Sequence, residues 1–377
     1  MIAFLNALMV SQLIGTSVAL ILNSFLIYVI VNHSVQKYGF YKYIMIMYSI
    51  FESIFAVVVL LGLPLHLIAD QAWMIFTYEG FFASTSMPRI GPVLYCSLYL
   101  CWVVIVCVMF LYRYVVVCRP KLALTIQYSR MLRFVLTTVF IISLGYCCFC
   151  GGWLCAQMRI YPKQREILAA EFNITDLDRD FGEIMARLMT VDGEPFVAGI
   201  IATLNHYVLI LIALLVIGFC SHRIWRKIQH LQNDQTKIVE VKLQRQMFVS
   251  LAVQTVVPII FCHLPAVICL SFPIVKNFSF GPFAPLFTCA TTINKILDPI
   301  VLMYFIKDYR RGVGIIGRKL CCKDPLSGIP SAAQADVDFT QGTHASFVLN
   351  SPESSVVKPE RNFNHENTEV HSEVTNS

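Results

Sequence analysis

Three polar residues, Asn23, Glu52 and Asp298, lie deep inside long apolar stretches of the sequence. A charged side chain in a membrane span costs about 2.5 to 3.5 kcal/mol, so such a residue is a candidate for a function. Counted at about 1.5 Å per helical residue, the three reach a similar depth in the inner half of their spans. They could form one polar cluster that holds the helices in alternative packings. Each could instead serve local capping and bond backbone groups that Pro299 leaves free.

Lys295 adds a base one helical turn before Asp298, so the two side chains could form an ion pair along one helix face. A desolvated lysine can also form a Schiff base with a carbonyl compound. Nothing else near Lys295 supports a bound chromophore, and the sequence predicts no cofactor.

Three histidines, His66, His206 and His263, fall toward the outer ends of their spans. Converging imidazoles can bind a metal or a polar ligand, although a single such histidine is more often a core residue with its hydrogen bonds satisfied. As a set they indicate where a small-molecule cavity could open, and we predict no metal site. Pro258 and Pro265 favour a movable sixth span, because proline frees backbone carbonyls and bends a helix.

These residues lie in seven apolar stretches, each long enough to cross a bilayer as a helix. Apolar residues make up 57% of the 377-residue chain and charged residues only 14%, against about 25% in soluble domains. The composition therefore predicts an all-α membrane protein, with a bundle of seven transmembrane helices over residues 8–306. The predicted spans are 8–31, 43–67, 92–112, 134–154, 198–221, 247–272 and 281–306.

Basic residues predict the orientation of this bundle. With residues 1–7 as a short extracellular N-terminus, the inner segments carry more than twice as many Lys and Arg residues as the outer ones. The first stretch could be a signal peptide, but no Lys or Arg precedes it and it is longer than the usual apolar core of such a peptide. We expect a retained first helix and no extracellular ligand-binding module. The net charge of +6 reflects topology and gives no argument for nucleic acid.

Residues 155–197 form the largest outer loop and contain a glycosylation sequon at Asn173. Cys96 and Cys155 both lie near the outer face and could form a disulfide. Most of the other cysteines lie within spans, so the sequence does not indicate the disulfide framework of a small secreted protein.

The C-terminal region divides into two parts. Residues 307–323 mix basic and apolar side chains, which favours a juxtamembrane segment lying along the inner membrane face and its lipid. Cys321 and Cys322 in this segment could be palmitoylated or could remain thiols. Residues 324–377 are rich in Ser, Thr, Asn, Glu and Pro, which predicts a disordered cytosolic tail. That tail could be a solvated segment only, or a target for phosphorylation.

Four motifs occur in order along the chain: GFYKYIMIMYSIF (39–51), LYRYVVVCRP (111–120), LQRQMFVSLAVQTVVPIIFCHLP (243–265) and LDPIVLMYFIKDYRR (297–311). Together they resemble the nematode serpentine chemoreceptors of class r, the Str family of G-protein-coupled receptors. The resemblance implies a rhodopsin-like architecture with an extracellular N-terminus. It also implies an odorant receptor in the plasma membrane of sensory cilia, acting through a heterotrimeric G protein and affecting chemotaxis.

Under this resemblance, a small-molecule odorant would bind in the outer half of the bundle and favour a conformation in which the sixth span swings at Pro258. Arg113, Lys242 and Arg245 would then contact the G protein, and the tail would offer a site to a receptor kinase and arrestin. We expect water and lipid headgroups to solvate Arg113 at the end of the third span. Its neighbour Tyr112 offers only a hydrogen bond, so any resting lock on Arg113 must be weaker than an ion pair, supplied elsewhere, or absent.

Two other classes are compatible with seven spans. A ligand-gated cation channel of the odorant-receptor type would place the N-terminus inside, and a transporter would show internal repeats or interrupted spans in matching halves. The sequence contains no GxSxG, HExxH or Walker motif, so it does not predict an enzyme.

Overall fold

The long apolar stretches fold into helices, because a helix satisfies its backbone hydrogen bonds internally where no water is available. Within the described residues, seven helices are long and apolar enough to cross a membrane. The computed structural model describes residues 2–33, 41–69, 72–84, 87–150, 166–167, 169–170, 184–187, 194, 196–232, 238–271, 280 and 283–321. The predicted tail, residues 324–377, lies outside this set.

The membrane helices follow the order of the predicted spans. They are α1 (Ile2–His33), α2 (Tyr41–Gly62), α3 (Ile90–Cys118), α4 (Arg130–Cys148), α5 (Val197–Gln232), α6 (Ile238–Pro258) and α7 (Leu286–Phe305). A short helix, Pro120–Tyr128, connects α3 to α4, and α8 (Lys307–Cys321) follows α7. The mostly helical fold is as predicted.

The second span ends earlier than predicted, at Gly62. Leu63 closes the helix with a hydrogen bond to Val59 and has a positive φ of 41°. Pro64 follows, and proline disfavours the helical conformation in the residue before it. Residues 64–67, which we predicted as helix, therefore form a strand, and that part of the prediction is wrong.

A small antiparallel sheet, absent from the predicted fold, lies at the outer end of the bundle. Strand β1 (Pro64–Ala69) pairs with β2 (Ala72–Thr77), and β2 pairs on its other edge with β3 (Ile184–Arg187). Every residue of β2 is buried. The backbone amide of Phe280 donates to the carbonyl of Ile68, which ties the segment before α7 to β1. The sheet is thus packed onto the bundle and is not a free loop.

Three helices extend beyond their predicted cytosolic ends. Helix α3 continues to Cys118, α5 continues to Gln232, and α6 begins already at Ile238. We placed the boundaries where charged residues resume. Charge marks the membrane surface but does not stop a helix, because Lys, Arg and Gln are good helix formers. Arg113 consequently lies inside α3 and not at its end.

The sixth span changes its helical form at the predicted hinge. Helix α6 ends at Pro258, a π-helical turn covers Ile259–His263, and an α-helical segment continues over Leu264–Ser271. Proline lacks the backbone N–H and clashes with the preceding turn, and wide turns of this kind often lie at functional sites. The span is therefore continuous but locally wound in a different way.

The juxtamembrane segment forms α8, which packs against the inner end of α1. Tyr309 of α8 is fully buried. A Cβ atom added at Gly312 would lie 2.7 Å from His33 Cγ, so only glycine permits the approach of the two helices.

Candidate functional site

A cavity of about 40 Å³ lies in the outer half of the bundle. Strands β1 and β2 contribute His66 and Trp73, and α3, α5, the sixth span and α7 contribute the other walls. Aromatic rings from Tyr95, Tyr99 and Phe287 and thiols from Cys96, Cys262 and Cys269 line most of its surface. Two of the three predicted histidines, His66 and His206, line this cavity. The wall is apolar with a few polar groups, which is the usual character of a small-molecule site.

His66 reaches the cavity because of the register of the hairpin. His66 opposes Ile75 and Ile68 opposes Trp73, so His66 and Trp73 lie diagonally on the same face of the sheet. The Trp73 Nε1–H donates to His66 Nδ1 at 3.0 Å, and the two rings stack with centroids 5.7 Å apart. Burial lowers the pKa of His66 to about 4, so its imidazole is neutral at pH 7.

The other two histidines differ in their contacts, one bonding within its own helix and the other bonding to α3. His206 Nδ1 hydrogen-bonds to the carbonyl of Ala202 at 3.2 Å, within α5. His263 lies in the π-helical turn, where its Nδ1 is 2.8 Å from the hydroxyl of Tyr99 and its ring packs 5.3 Å from that of Trp102. A side chain of the cavity wall, Tyr99, thus contacts the hinge of the sixth span directly.

Below the cavity, Glu52 and Asp298 belong to a buried polar cluster. Lys295 Nζ lies 3.8 Å from a Glu52 carboxylate oxygen and 3.4 Å from the centroid of the Phe55 ring. The Tyr48 hydroxyl donates to Asp298 Oδ2, which joins α2 to α7. The ion pair of Lys295 therefore crosses from α7 to α2, whereas the sequence suggested a pair with Asp298 on the same helix.

Asn23, the third predicted member, is buried and donates to the carbonyl of Ala19 at 3.0 Å. This hydrogen bond lies within α1, so Asn23 makes a local contact to the backbone of its own helix. Sequence reasoning missed Tyr48 and Trp102, whose indole N–H donates to the Tyr48 hydroxyl at 3.2 Å. Tyr48 precedes Glu52 by four residues, and that spacing on one helix face was a usable signal.

Several oxygen atoms of this cluster have no hydrogen-bond partner among the described residues. They include both carboxylate oxygens of Glu52 and Oδ1 of Asp298 and Asn294. A buried polar network that is only partly satisfied is costly, so the cluster stabilises the bundle less than a fully paired network would.

At the cytosolic end, Arg113 is buried, with 3% of its surface exposed. The expectation that water and headgroups solvate it is wrong, because α3 extends past it and neighbouring helices enclose it. Its guanidinium carbon lies 3.7 Å from the centroid of the Tyr41 ring, and Nη1 donates to Gln244 Oε1 at 3.2 Å. Tyr112 stacks on the same Tyr41 ring at 6.2 Å.

The other predicted cytosolic residues, Lys242 and Arg245, are exposed on α6 on either side of Gln244. The two bases therefore lie within two residues of Gln244, the partner of Arg113, and their side chains are exposed.

Some predicted modification sites lie outside the described residues. These are Asn173, Cys155 and Cys322, so the glycosylation site, the disulfide with Cys96 and one palmitoylation site stay predictions. Cys321 is the last residue of α8, and Cys96 is buried in the cavity wall. In the described part of the chain, no group of three or more His, Cys, Asp or Glu residues is placed to hold a metal ion.

The architecture is similar to a solved receptor structure. Squid rhodopsin superposes with a TM-score of 0.54 at 12% sequence identity, covering 86% of this chain and 92% of that chain. At this level of identity the similarity concerns the fold alone.

Sequence comparison identifies the family. The chain is 23% identical to serpentine receptor class r-10 of Caenorhabditis elegans, over 74% of this chain and 81% of the relative. It is 21% identical to serpentine receptor class r-10 of Caenorhabditis briggsae, over 80% and 88% of the two chains. It is 23% identical to G-protein coupled receptor str-33 of Caenorhabditis elegans, over 78% and 85%. These relatives are receptors and not enzymes. Residues 8–314 match the serpentine type 7TM GPCR chemoreceptor family Str, and the chain belongs to that family.

Proposed function

We propose that this receptor detects a small-molecule odorant in the outer cavity, activates a heterotrimeric G protein and thereby affects chemotaxis. The observation that carries the proposal is the contact between Tyr99, in the cavity wall, and His263, in the π-helical turn of the sixth span. A ligand that touches Tyr99 acts on the hinge through that single side chain.

The activation step is a shift between two packings of the sixth span. The cavity wall includes Cys262 and Pro265 on either side of His263, so a ligand interacts with the span at several points above Pro258. A ligand shifts the equilibrium only by its difference in affinity for the two packings. Movement at the hinge displaces α6, which carries Gln244, and breaks its bond to Arg113. Arg113 then joins Lys242 and Arg245 in contacting the G protein, because a guanidinium can donate to several carbonyl groups at once.

The buried cluster gives the same movement a second route. Trp102 packs on His263 and donates to Tyr48, which in turn donates to Asp298 on α7. A shift of His263 therefore changes the environment of the α2–α7 contact as well. Asp298, Pro299 and Glu52 act here as a helix-packing switch.

Further steps of the proposed function involve the parts of the chain beyond the bundle. The tail would carry phosphorylation sites for a receptor kinase and a binding site for arrestin. Palmitoylation at Cys321 and Cys322 would hold α8 at the membrane. The receptor would reside in the plasma membrane of sensory cilia.

The proposal is tested by volatile-evoked calcium or cyclic-nucleotide responses in cells that express the receptor. Arg113→Ala should abolish the response at unchanged surface expression, while Arg133→Ala, an exposed arginine at the start of α4, should preserve it. Removing the cells' G proteins should also abolish the response. A response that survives G-protein removal would indicate a channel instead, and full signalling by Arg113→Ala would contradict the assigned role.

A further inference from the structure

The protonation of His66 can be assigned from its partner. An indole N–H only donates, so His66 Nδ1, which receives the Trp73 bond at 3.0 Å, must offer its lone pair. A neutral imidazole carries one proton, which must then sit on Nε2. The low pKa of this buried ring, about 4, keeps it neutral at pH 7. His66 therefore presents an N–H donor at Nε2.

That donor has no hydrogen-bond partner among the described residues, although the side chain is 94% buried. The ring of Tyr95 lies edge to face at 6.0 Å, and an aromatic ring accepts a hydrogen bond only weakly. A buried donor left unmatched is costly. His66 lines the cavity, so a molecule that binds there and displaces the wall slightly around Nε2 can supply the missing acceptor.

The remaining wall limits the charge and the size of that molecule. No Asp, Glu, Lys or Arg lines the cavity in the described part of the chain, so neither an ammonium nor a carboxylate finds a counter-charge. A volume of about 40 Å³, against about 10 to 15 Å³ for one water on the same measure, admits only a few non-hydrogen atoms without rearrangement.

We propose that the cavity binds small uncharged molecules that carry a hydrogen-bond acceptor, and that the acceptor bonds to His66 Nε2–H. Carbonyl oxygens, ether oxygens and pyridine-type nitrogens belong to this class, and hydrocarbons of the same shape do not. The inference rests on the proposed function for its consequence in signalling, whereas the binding step stands on the geometry of His66 and Trp73.

Matched pairs of compounds test the proposal on the purified receptor. Pyridine and benzene have the same shape and differ in the acceptor, as do 2-butanone and 2-methyl-1-butene. Dissociation constants come from thermal melting of the receptor titrated with each compound. In each pair, we expect the compound with the acceptor to bind roughly 5- to 100-fold more tightly than the hydrocarbon. This is the range of affinity that follows from giving a buried donor its hydrogen-bond partner. Equal affinities within the pairs, or no binding by pyridine and 2-butanone, would overturn the proposal.

Variants localise the effect to one nitrogen. His66→Phe keeps a ring but removes the donor, so the affinity ratio within each pair should fall to about one. Trp73→Phe removes the bond that fixes the tautomer and should lower the ratio, whereas Trp225→Phe, which packs on Phe248 near the cytosolic end of α5, should not. An unchanged ratio in His66→Phe would refute the role of His66. If a variant does not fold, nitrogen NMR of histidine-labelled wild-type receptor decides, because the Nδ1–H form of His66 contradicts the proposal.

Binding and signalling fail in distinguishable ways. Discrimination within the pairs without any G-protein response in cells would retain this inference and reject the proposed function. A G-protein response to odorants together with equal binding of the paired compounds would reject this inference and retain the proposed function.

Discussion

In the proposed mechanism, the buried contact of Arg113 with Gln244 is the residue-scale feature that holds the resting receptor. Tyr112, the neighbour of Arg113 in sequence, stacks on the Tyr41 ring, and the guanidinium of Arg113 packs on that same ring. Gln244 supplies an oxygen from α6, so a neutral amide links α3 to the movable span. A neutral acceptor binds arginine about half as strongly as a carboxylate does. The resting contact is therefore present but weak.

Replacing this amide by an acid should strengthen the resting state. Gln244→Glu introduces a charge-assisted hydrogen bond to Arg113, and we expect lower basal signalling and a several-fold loss of agonist potency. Gln244→Leu removes the acceptor and should raise basal signalling. Concentration–response curves for G-protein activation measure both effects. Gln246→Glu adds the same charge to α6 as a control, and an equal effect from that variant would show that charge alone is responsible.

The Glu52–Lys295 pair predicts a strong dependence of stability on both partners. Lys295→Met leaves a buried carboxylate without its cation and should destabilise the receptor by about 3 to 5 kcal/mol. The double variant Glu52→Gln with Lys295→Met removes both charges and should recover most of that loss. Thermal melting in detergent gives the comparison. Additive losses in the double variant would argue that the 3.8 Å pair contributes no coupling.

At the scale of elements, the close approach of α8 to α1 can be tested by adding a methyl group at a glycine of α8. Gly312→Ala should lower the melting temperature, because the new Cβ would lie under 3 Å from the His33 ring of α1. Gly314→Ala lies two residues further on the same helix, where an added Cβ meets nothing within 4 Å. That control should be neutral or stabilising by about 0.5 to 1 kcal/mol through helix propensity. Equal shifts for the two variants would contradict the close contact of α8 with α1.

Some features of the fold and the site could be predicted from the sequence and others could not, for physical reasons. The seven spans could be predicted because the thickness of a bilayer fixes the length of an apolar stretch. The β1–β2 hairpin could not, because its buried apolar residues continue the hydropathy of α2, although Leu63-Pro64 marks a helix end. The burial of Arg113 depends on Tyr41 and Gln244, which are distant in sequence, and no local pattern reports such a contact. Tyr48 and Trp102 were overlooked because each was counted as apolar, while their O–H and N–H groups carry the network.

For the whole molecule, the distribution of basic residues predicts the topology in the membrane. An epitope tag on the N-terminus should be accessible to antibody on intact cells, and a tag on the C-terminus only after permeabilisation. This result would also separate the receptor from a channel with its N-terminus inside. Accessibility of the C-terminal tag on intact cells would contradict an orientation with the cavity outside and Arg113 at the cytosolic face.

The buried sheet over the cavity has a consequence for timing. Strands β1 and β2 contribute to the cavity wall and are fixed by six residue pairs, by β3, and by the bond from Phe280 to Ile68. A molecule can leave past this sheet only when it opens, and such local openings are slow compared with side-chain motion. Release by this route, measured after rapid dilution, should therefore be slow compared with side-chain motion, and faster when the Trp73 indole is removed. Under the proposed function, slow release would make the receptor integrate concentration over time instead of following brief pulses, as comparison of successive positions along a gradient requires.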